Sequence, residues 1–196
     1  IGYMFMIARS LYKASNSMKA EKWEKKAFQG DEINGKVLGL IGIGNIGKEV
    51  AVRAAVLGMT VIACDPYVKE AGSVKLVTLD EVLAQADYIS LHLPKTKESA
   101  DMIGADQFAK MKDGVRLINC ARGGIVNETA LYDALVGGKV AAAALDVFGE
   151  EPPTDWKLVK LDNVICSPHI GSATKEGQGR VGAEMAEKLI EFAKSH

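Results

Sequence analysis

Residues 37–47 read Val37-Leu38-Gly39-Leu40-Ile41-Gly42-Ile43-Gly44-Asn45-Ile46-Gly47. An apolar run ends on glycines spaced G-x-G-x-x-G, and the stretch Asn45–Leu57 then carries Ile46, Val50, Ala54 and Leu57 on one helical face. Alone, the glycine pattern is weak. Between a strand and an amphipathic helix it predicts a turn that cradles the pyrophosphate of a dinucleotide. The next apolar run, Thr60–Cys64, is closed by Asp65, 18 residues past Gly47. That is the place of an acid that accepts hydrogen bonds from the adenosine ribose.

Each part has a mechanical reason. Gly42 permits the tight turn, Gly44 lets a pyrophosphate approach the backbone, and Gly47 lets helix and strand pack closely. A helix opening near Asn45 presents unpaired N–H groups and a positive dipole end to phosphate. Asp65 repels a 2′-phosphate, and Pro66, Tyr67 and Val68 after it bring no positive charge. The expected cofactor is therefore NAD rather than NADP. The alternative is a glycine turn in an α/β protein that binds nothing, with Asp65 a simple loop residue.

Further short apolar runs follow at Tyr88–Leu91, Val115–Cys120, Val140–Val147 and Val164–Cys166, with a weak one at Lys75–Val77. Helical patterns lie between most of them, at Leu79–Ala86 and Asn127–Val136, and a last one over Thr174–Lys194 carries Val181, Met185, Leu189 and Ala193. This alternation predicts an α/β fold, a doubly wound parallel sheet with helices on both faces, the Rossmann architecture. Residues 1–18 read as a helix through Tyr3, Ile7 and Leu11, and residues 19–34 as a mixed-charge connector anchored by Trp23 and Phe28. The expected organisation is an N-terminal helix and connector over 1–34, a cofactor domain over 35–172 and a C-terminal helix over 173–196.

Composition narrows the function classes. The 196 residues suffice for one buried core, and 24 Lys plus Arg against 25 Asp plus Glu leave a net charge of −1. That balance gives no footprint for nucleic acid; Lys22, Lys25 and Lys26 alternate with Glu21 and Glu24 as a solvated face. No run approaches the roughly 18–20 apolar residues of a membrane span. Cys64, Cys120 and Cys166 are too dispersed for a disulfide framework or a metal cluster. They fit a reducing, cytoplasmic setting, each closing an apolar run as a small buried hydrophobe. The chain starts at Ile1 without a basic leader, which reads as a chain entered partway along a helix of a longer protein.

In a doubly wound sheet, ligands sit outside the carboxyl ends of the strands. Arg122 follows the run Val115–Cys120, Asp146 ends the run Val140–Val147 with Glu151 five residues later, His169 follows Val164–Cys166, and His92 follows Tyr88–Leu91. Singly, each has a structural reading: a helix-capping arginine, an exposed acid before Pro152-Pro153, a structural histidine. Together on one edge, below a dinucleotide turn, a cation, a carboxylate and an imidazole favour a functional site over these separate structural readings.

These stretches resemble the D-isomer-specific 2-hydroxyacid dehydrogenases. The resemblance is carried by Gly42–Gly47, Asp65, Leu91–Pro94, Asn119–Gly124, Leu145–Phe148, Glu151-Pro152-Pro153 and Ser167–Gly171, and it runs from about Leu11 to the end. A narrower resemblance, over Gly114–Asn127 and Ser172–Glu176, points to the branch acting on 3-phosphoglycerate. It implies that His169 moves the proton of the substrate oxygen, that Glu151 pairs with His169, and that Arg122 binds the substrate carboxylate and polarises the carbonyl. It further implies that Asp146 contacts the nicotinamide side and that Asn45 and Ile46 meet the pyrophosphate. Leu93, Cys120 and Ala121 line the groove, and the His169–Ser172 loop, with Gly171 and Ser172, closes it. Gly149 and Ser172 depart from the common pattern without removing a role. The family's substrate domain is largely missing from the chain, so NAD binding with little turnover is expected of these residues alone. A homodimer is expected through the apolar helix Ile1–Ala14. Another D-2-hydroxy acid as substrate, or an NAD-sensing scaffold without catalysis, are the alternatives.

Overall fold

The structure, a computed structural model, describes residues 1–195. The apolar runs form strands β1 (Val37–Ile41), β2 (Thr60–Cys64), β3 (Lys75–Leu76), β4 (Tyr88–Leu91), β5 (Val115–Asn119), β6 (Val140–Leu145) and β7 (Val164–Cys166). They pair in parallel in the order β3-β2-β1-β4-β5-β6-β7. Continuous apolarity is what such strands require, because both faces are covered; all four residues of β4 are buried.

The helices are α1 (Gly2–Ala8), α2 (Leu11–Lys19), α3 (Asn45–Val56), α4 (Leu79–Gln85), α5 (Ala105–Lys110), α6 (Glu128–Val136) and α7 (Lys175–Ser195). Local chemistry sets two of their starts. Thr78 and Glu81 form a reciprocal capping box before α4, and Asn127 Oδ1 accepts the Ala130 N–H at 2.9 Å at the start of α6. One face of the sheet packs Val82, Leu83, Phe108 and Leu131, from α4, α5 and α6. The other packs Met4, Ile7, Ala51 and Ala54, from α1 and α3.

The pairing register builds the functional edge. Ile41 pairs with Cys64 and Leu91, Leu91 with Asn119, Asn119 with Leu145, and Leu145 with Cys166. Six strands thus end on one row. The residues that follow them, Gly42, Asp65, His92, Cys120, Asp146 and Ser167, stand side by side at the carboxyl edge. The chain runs from β1 through β2 to β3 on one flank and returns to β4 on the other. The resulting crevice opens over the carboxyl end of β1, where Gly42–Gly47 lies.

Several expectations are corrected. The helix over residues 1–18 breaks at Ser10, which has φ +47, because α1 turns inward to bury Met4, Ile7 and Ala8. Met4, Ile7 and Ala8 thus serve this chain's own core, while Phe5 on the same helix stays exposed. Trp23 is 80% exposed and anchors nothing. The buried face of α3 is Gly47, Ala51 and Ala54, with Ile46 exposed. Val181, Met185 and Leu189 of α7 are exposed, and that helix buries no residue. Of the cysteines, Cys120 is exposed. The apolar pattern Val37–Ile43 yields a strand only to Ile41, the runs Val115–Cys120 and Val140–Val147 yield strands only to Asn119 and Leu145, and α5 is an element the apolar pattern did not reveal. No described helix is long and apolar enough to cross a membrane.

Candidate cofactor groove and active site

The three glycines of the turn do different work. Gly42 has φ +93, and a Cβ there would lie 2.4 Å from the His92 carbonyl oxygen. A Cβ on Gly47 would lie 2.6 Å from the Gly42 oxygen. The chain's own packing demands both. Gly44 has an ordinary φ of −67, is exposed, and its Cβ would meet nothing within 4 Å. A glycine that the fold does not need leaves room for a group from outside. Beside it, Asn45 and Ile46 open the first turn of α3, both exposed, with no acidic side chain in that turn. The N–H groups there lack intrahelical partners and favour an anion. Across the crevice, the Asp65 carboxylate accepts N–H bonds from Ile43 (2.9 Å), Tyr67 (2.9 Å) and Val68 (3.2 Å). Two carboxylate oxygens offer about four lone pairs, so one remains for a hydroxyl. These residues fit the pyrophosphate and ribose of a dinucleotide.

His92 closes the floor of the turn, with Nε2 2.9 Å from Ser90 Oγ, and Leu93 beside it is half-buried. Burial pushes the His92 imidazole down to about 4. An unfolded histidine titrates near 6.5, so unfolding takes up a proton between these values. Stability should therefore fall as pH drops from about 6.5 to about 4, by up to about 3 kcal/mol, and this contribution should level off below. Urea unfolding at pH 7 and pH 4.5 should show a smaller pH loss in His92→Asn than in the natural chain. Equal losses would contradict this origin.

The loop after β5 is shaped by Asn119, buried at 2% exposure. Its Oδ1 accepts the Ala121 N–H at 3.1 Å, and its Nδ2 donates to the Arg122 carbonyl at 3.0 Å. Gly123 then passes so close to the next loop that a Cβ would lie 1.6 Å from the Phe148 oxygen. Sequence reasoning gave neither residue a role. An asparagine closing a strand before a turn was a legible signal; the close approach of Gly123 was not. Arg122 is exposed, and its Nη1 donates to the Ala121 carbonyl at 2.6 Å. Among the described residues it has no carboxylate partner within ion-pair distance. A guanidinium so placed can take a carboxylate from outside. Cys120 is exposed as a residue, yet its thiol lies against the protein and near Asp146, which push it up to about 11. With its pKa there it stays protonated near neutrality, the weakly nucleophilic form of a thiol.

The loops after β6 and β7 bring Glu151 and His169 together. His169 Nδ1 lies 2.7 Å from Glu151 Oε2, while Glu151 Oε1 accepts the Phe148 N–H at 3.0 Å. The Phe148 N–H, and then His169, hold the Glu151 carboxyl below its ordinary range. As an ionised acceptor it fixes the proton on Nδ1 and leaves Nε2 to face a ligand. His169 sits at φ +53, a left-handed backbone that costs about 1 kcal/mol or more and persists only where the surroundings enforce it. Asp146 supplies the enforcement. It is buried at 2% exposure, its carboxylate accepts from Ser167 Oγ, Ile170 N (2.9 Å) and Gly171 N (2.7 Å), and its main-chain oxygen accepts from His169 N (2.8 Å). Gly171 and Ser172 lie exposed just beyond. A cavity of about 490 Å³, walled by Phe148, Pro152, Pro153, Trp156 and Pro168, adjoins the Glu151–His169 pair.

The groove thus holds a phosphate-ready helix end, a ribose-ready carboxylate, an unpaired guanidinium and an imidazole oriented by a carboxylate. A family profile described as D-isomer specific 2-hydroxyacid dehydrogenase, NAD binding domain, matches residues 1–171. The chain is 51% identical to a D-3-phosphoglycerate dehydrogenase of Archaeoglobus fulgidus, over 99% of the chain and 38% of that protein. It is 52% identical to a hydroxypyruvate reductase of Thermotoga maritima, over 97% of the chain and 63% of that protein. Among solved structures, D-lactate dehydrogenase from Aquifex aeolicus, complexed with NAD and lactic acid, superposes with a TM-score of 0.89 at 33% identity. That match covers 98% of the chain and 64% of the other. The chain therefore spans between 38% and 64% of the length of these relatives.

Proposed function

Because this chain belongs to the D-isomer specific 2-hydroxyacid dehydrogenases and carries their NAD-binding domain, we propose that it is the cofactor-binding and proton-transferring part of an enzyme that oxidises D-3-phosphoglycerate. The observation that carries the proton-transfer part of this reading is the 2.7 Å contact of His169 Nδ1 with Glu151, on the same strand-end edge as the unpaired Arg122, while the choice of substrate rests on the 51% identity to the Archaeoglobus protein.

Gly42, Gly44, Asn45, Ile46, Gly47 and Asp65 would hold NAD at one end of the groove. Leu93, Cys120, Ala121, Asp146, Gly171 and Ser172 would line or close it toward the other. Bound there, NAD supplies the acceptor for the hydride on the hydroxyl-bearing carbon. Arg122 binds the substrate carboxylate and orients that carbon. His169 Nε2 takes the hydroxyl proton as the hydride leaves, and Glu151 stabilises the imidazolium that forms. In the reverse direction the same imidazolium returns the proton to the carbonyl oxygen.

Incubating the encoded full chain with NAD and D-3-phosphoglycerate should generate NADH. No NADH from any D-2-hydroxy acid would sink the dehydrogenase reading in favour of an NAD-sensing scaffold. Hydroxypyruvate reduction is the second reading, favoured by the 52% identity to the Thermotoga protein. Preference for D-glycerate over its phosphate would establish it.

We further propose residues 35–172 as the cofactor domain, 1–34 as an arm docked on it and 173–195 as a segment whose helix returns toward a substrate domain, in a cytoplasmic enzyme; His196, the last residue of that segment in the sequence, lies outside the described residues. A homodimer contact on the arm would use Phe5, Leu11, Met18 and Trp23, which stay exposed after Met4 and Ile7 are buried. Sedimentation should give a dimer at micromolar concentration, and a monomer would contradict this.

A further inference from the structure

We propose that Tyr3, on the N-terminal helix, is a positioning residue for His169, acting through Ser167 and Asp146. The Tyr3 phenol is hydrogen-bonded to Ser167 Oγ, 164 residues away in sequence, and Ser167 Oγ donates to Asp146 Oδ1. A serine hydroxyl has one proton. With that proton on Asp146, Tyr3 is the donor of the other bond, and the chain runs from Tyr3 to Ser167 to Asp146. Burial pushes the Tyr3 phenol up, so it keeps its proton through neutral pH.

The relay ends where the His169 backbone is determined. Three hydrogen bonds hold the left-handed turn at His169 to Asp146: His169 N to its main-chain oxygen, and Ile170 N and Gly171 N to its carboxylate. A fourth runs from His169 N to the Ser167 carbonyl at 3.1 Å. The relay therefore reaches both residues that hold the turn. α1 is a firm base for it, since Met4 and Ile7 are buried on the sheet. Without the phenolic donor, the Ser167 hydroxyl is free to turn from Asp146, and the turn that aims the imidazole loosens.

This inference rests on the proposed role of His169, so the test has two arms. In the 196-residue chain, amide exchange of Ile170 and Gly171 should be about tenfold faster in Tyr3→Phe, the scale of one lost hydrogen bond. Tyr12→Phe, which removes a bond to the Asp162 carbonyl instead, should leave both amides unchanged. In the encoded full chain, Tyr3→Phe should lower kcat about tenfold with NADH affinity unchanged and the melting temperature lowered by no more than about 3 °C, a split that a merely structural role would not produce. Ser167→Ala should reproduce both effects, and combining the two should add little. Unchanged exchange at Ile170 and Gly171 in Tyr3→Phe would overturn the proposal, as would unchanged kcat. If the unsubstituted full chain shows no turnover, the dehydrogenase reading has failed and the exchange arm decides on Tyr3.

Discussion

Replacing His169 with glutamine in the encoded full chain should lower kcat/KM for the 2-oxo acid about a thousandfold, within the range for loss of a positioned general acid. A thousandfold is about 4 kcal/mol of transition-state stabilisation. Glutamine keeps a polar side chain next to Glu151 but cannot deliver a proton. NADH affinity should stay within about threefold, since in this account the cofactor is held chiefly by the helix end at Gly44 and by Asp65. Glu151→Gln should cost less, about 10- to 100-fold, because the imidazole remains and only its orientation and charge support are lost. Steady-state rates with NADH and the 2-oxo acid measure all three. A fall of less than tenfold for His169→Gln would remove His169 from the chemistry.

The second large effect compares one methyl group at two glycines. Gly42→Ala forces a side chain onto φ +93 and places its Cβ 2.4 Å from the His92 carbonyl oxygen, a backbone atom that cannot move cheaply. It should lose about 3 kcal/mol or more, lowering the melting temperature by about 10 °C in a domain of this size. Gly44→Ala meets no atom of the chain within 4 Å at a φ of −67. Its melting temperature should move by no more than about 3 °C, the cost of a poorer helix cap. Its NADH affinity should nevertheless fall at least about tenfold, or about 1.4 kcal/mol, because the methyl fills the space kept for phosphate. Thermal unfolding and calorimetric titration separate the two. Matching melting losses, or full NADH affinity in Gly44→Ala, would show that the glycines were misassigned.

Most of the fold was legible because parallel strands buried on both faces must be apolar throughout, as β4 and β6 are nearly so. What escaped depended on tertiary contacts. The spacing of Tyr3, Ile7 and Leu11 is continuous, so nothing local marks the break at Ser10. The six-residue α5 has one buried side chain, Phe108, too few to show a period. α3 turns its small residues inward because Gly47 and Ala51 permit close approach, whereas hydrophobicity alone favoured Ile46. α7 has a helical apolar stripe that no described residue covers.

The candidate site was legible in its residue types and strand-end positions, since topology alone puts Asp65, Arg122, Asp146 and His169 on one edge. Its supports were not. The bonds of Asp146 to Ile170 and Gly171 span 24 and 25 residues, and that of Tyr3 to Ser167 spans 164. Such links follow from the register of β6 and β7 and the docking of α1, which no local pattern encodes.

The most direct measurement is calorimetric titration of the unsubstituted 196-residue chain with NADH and, separately, with NADPH. NADH should bind saturably, one per chain, and NADPH at least about tenfold more weakly, because Asp65 meets the 2′-phosphate with a like charge. Equal affinity for the two would contradict the role of Asp65. Absence of NADH binding would contradict the central claim, that this chain is a dinucleotide domain carrying its own proton-transfer pair.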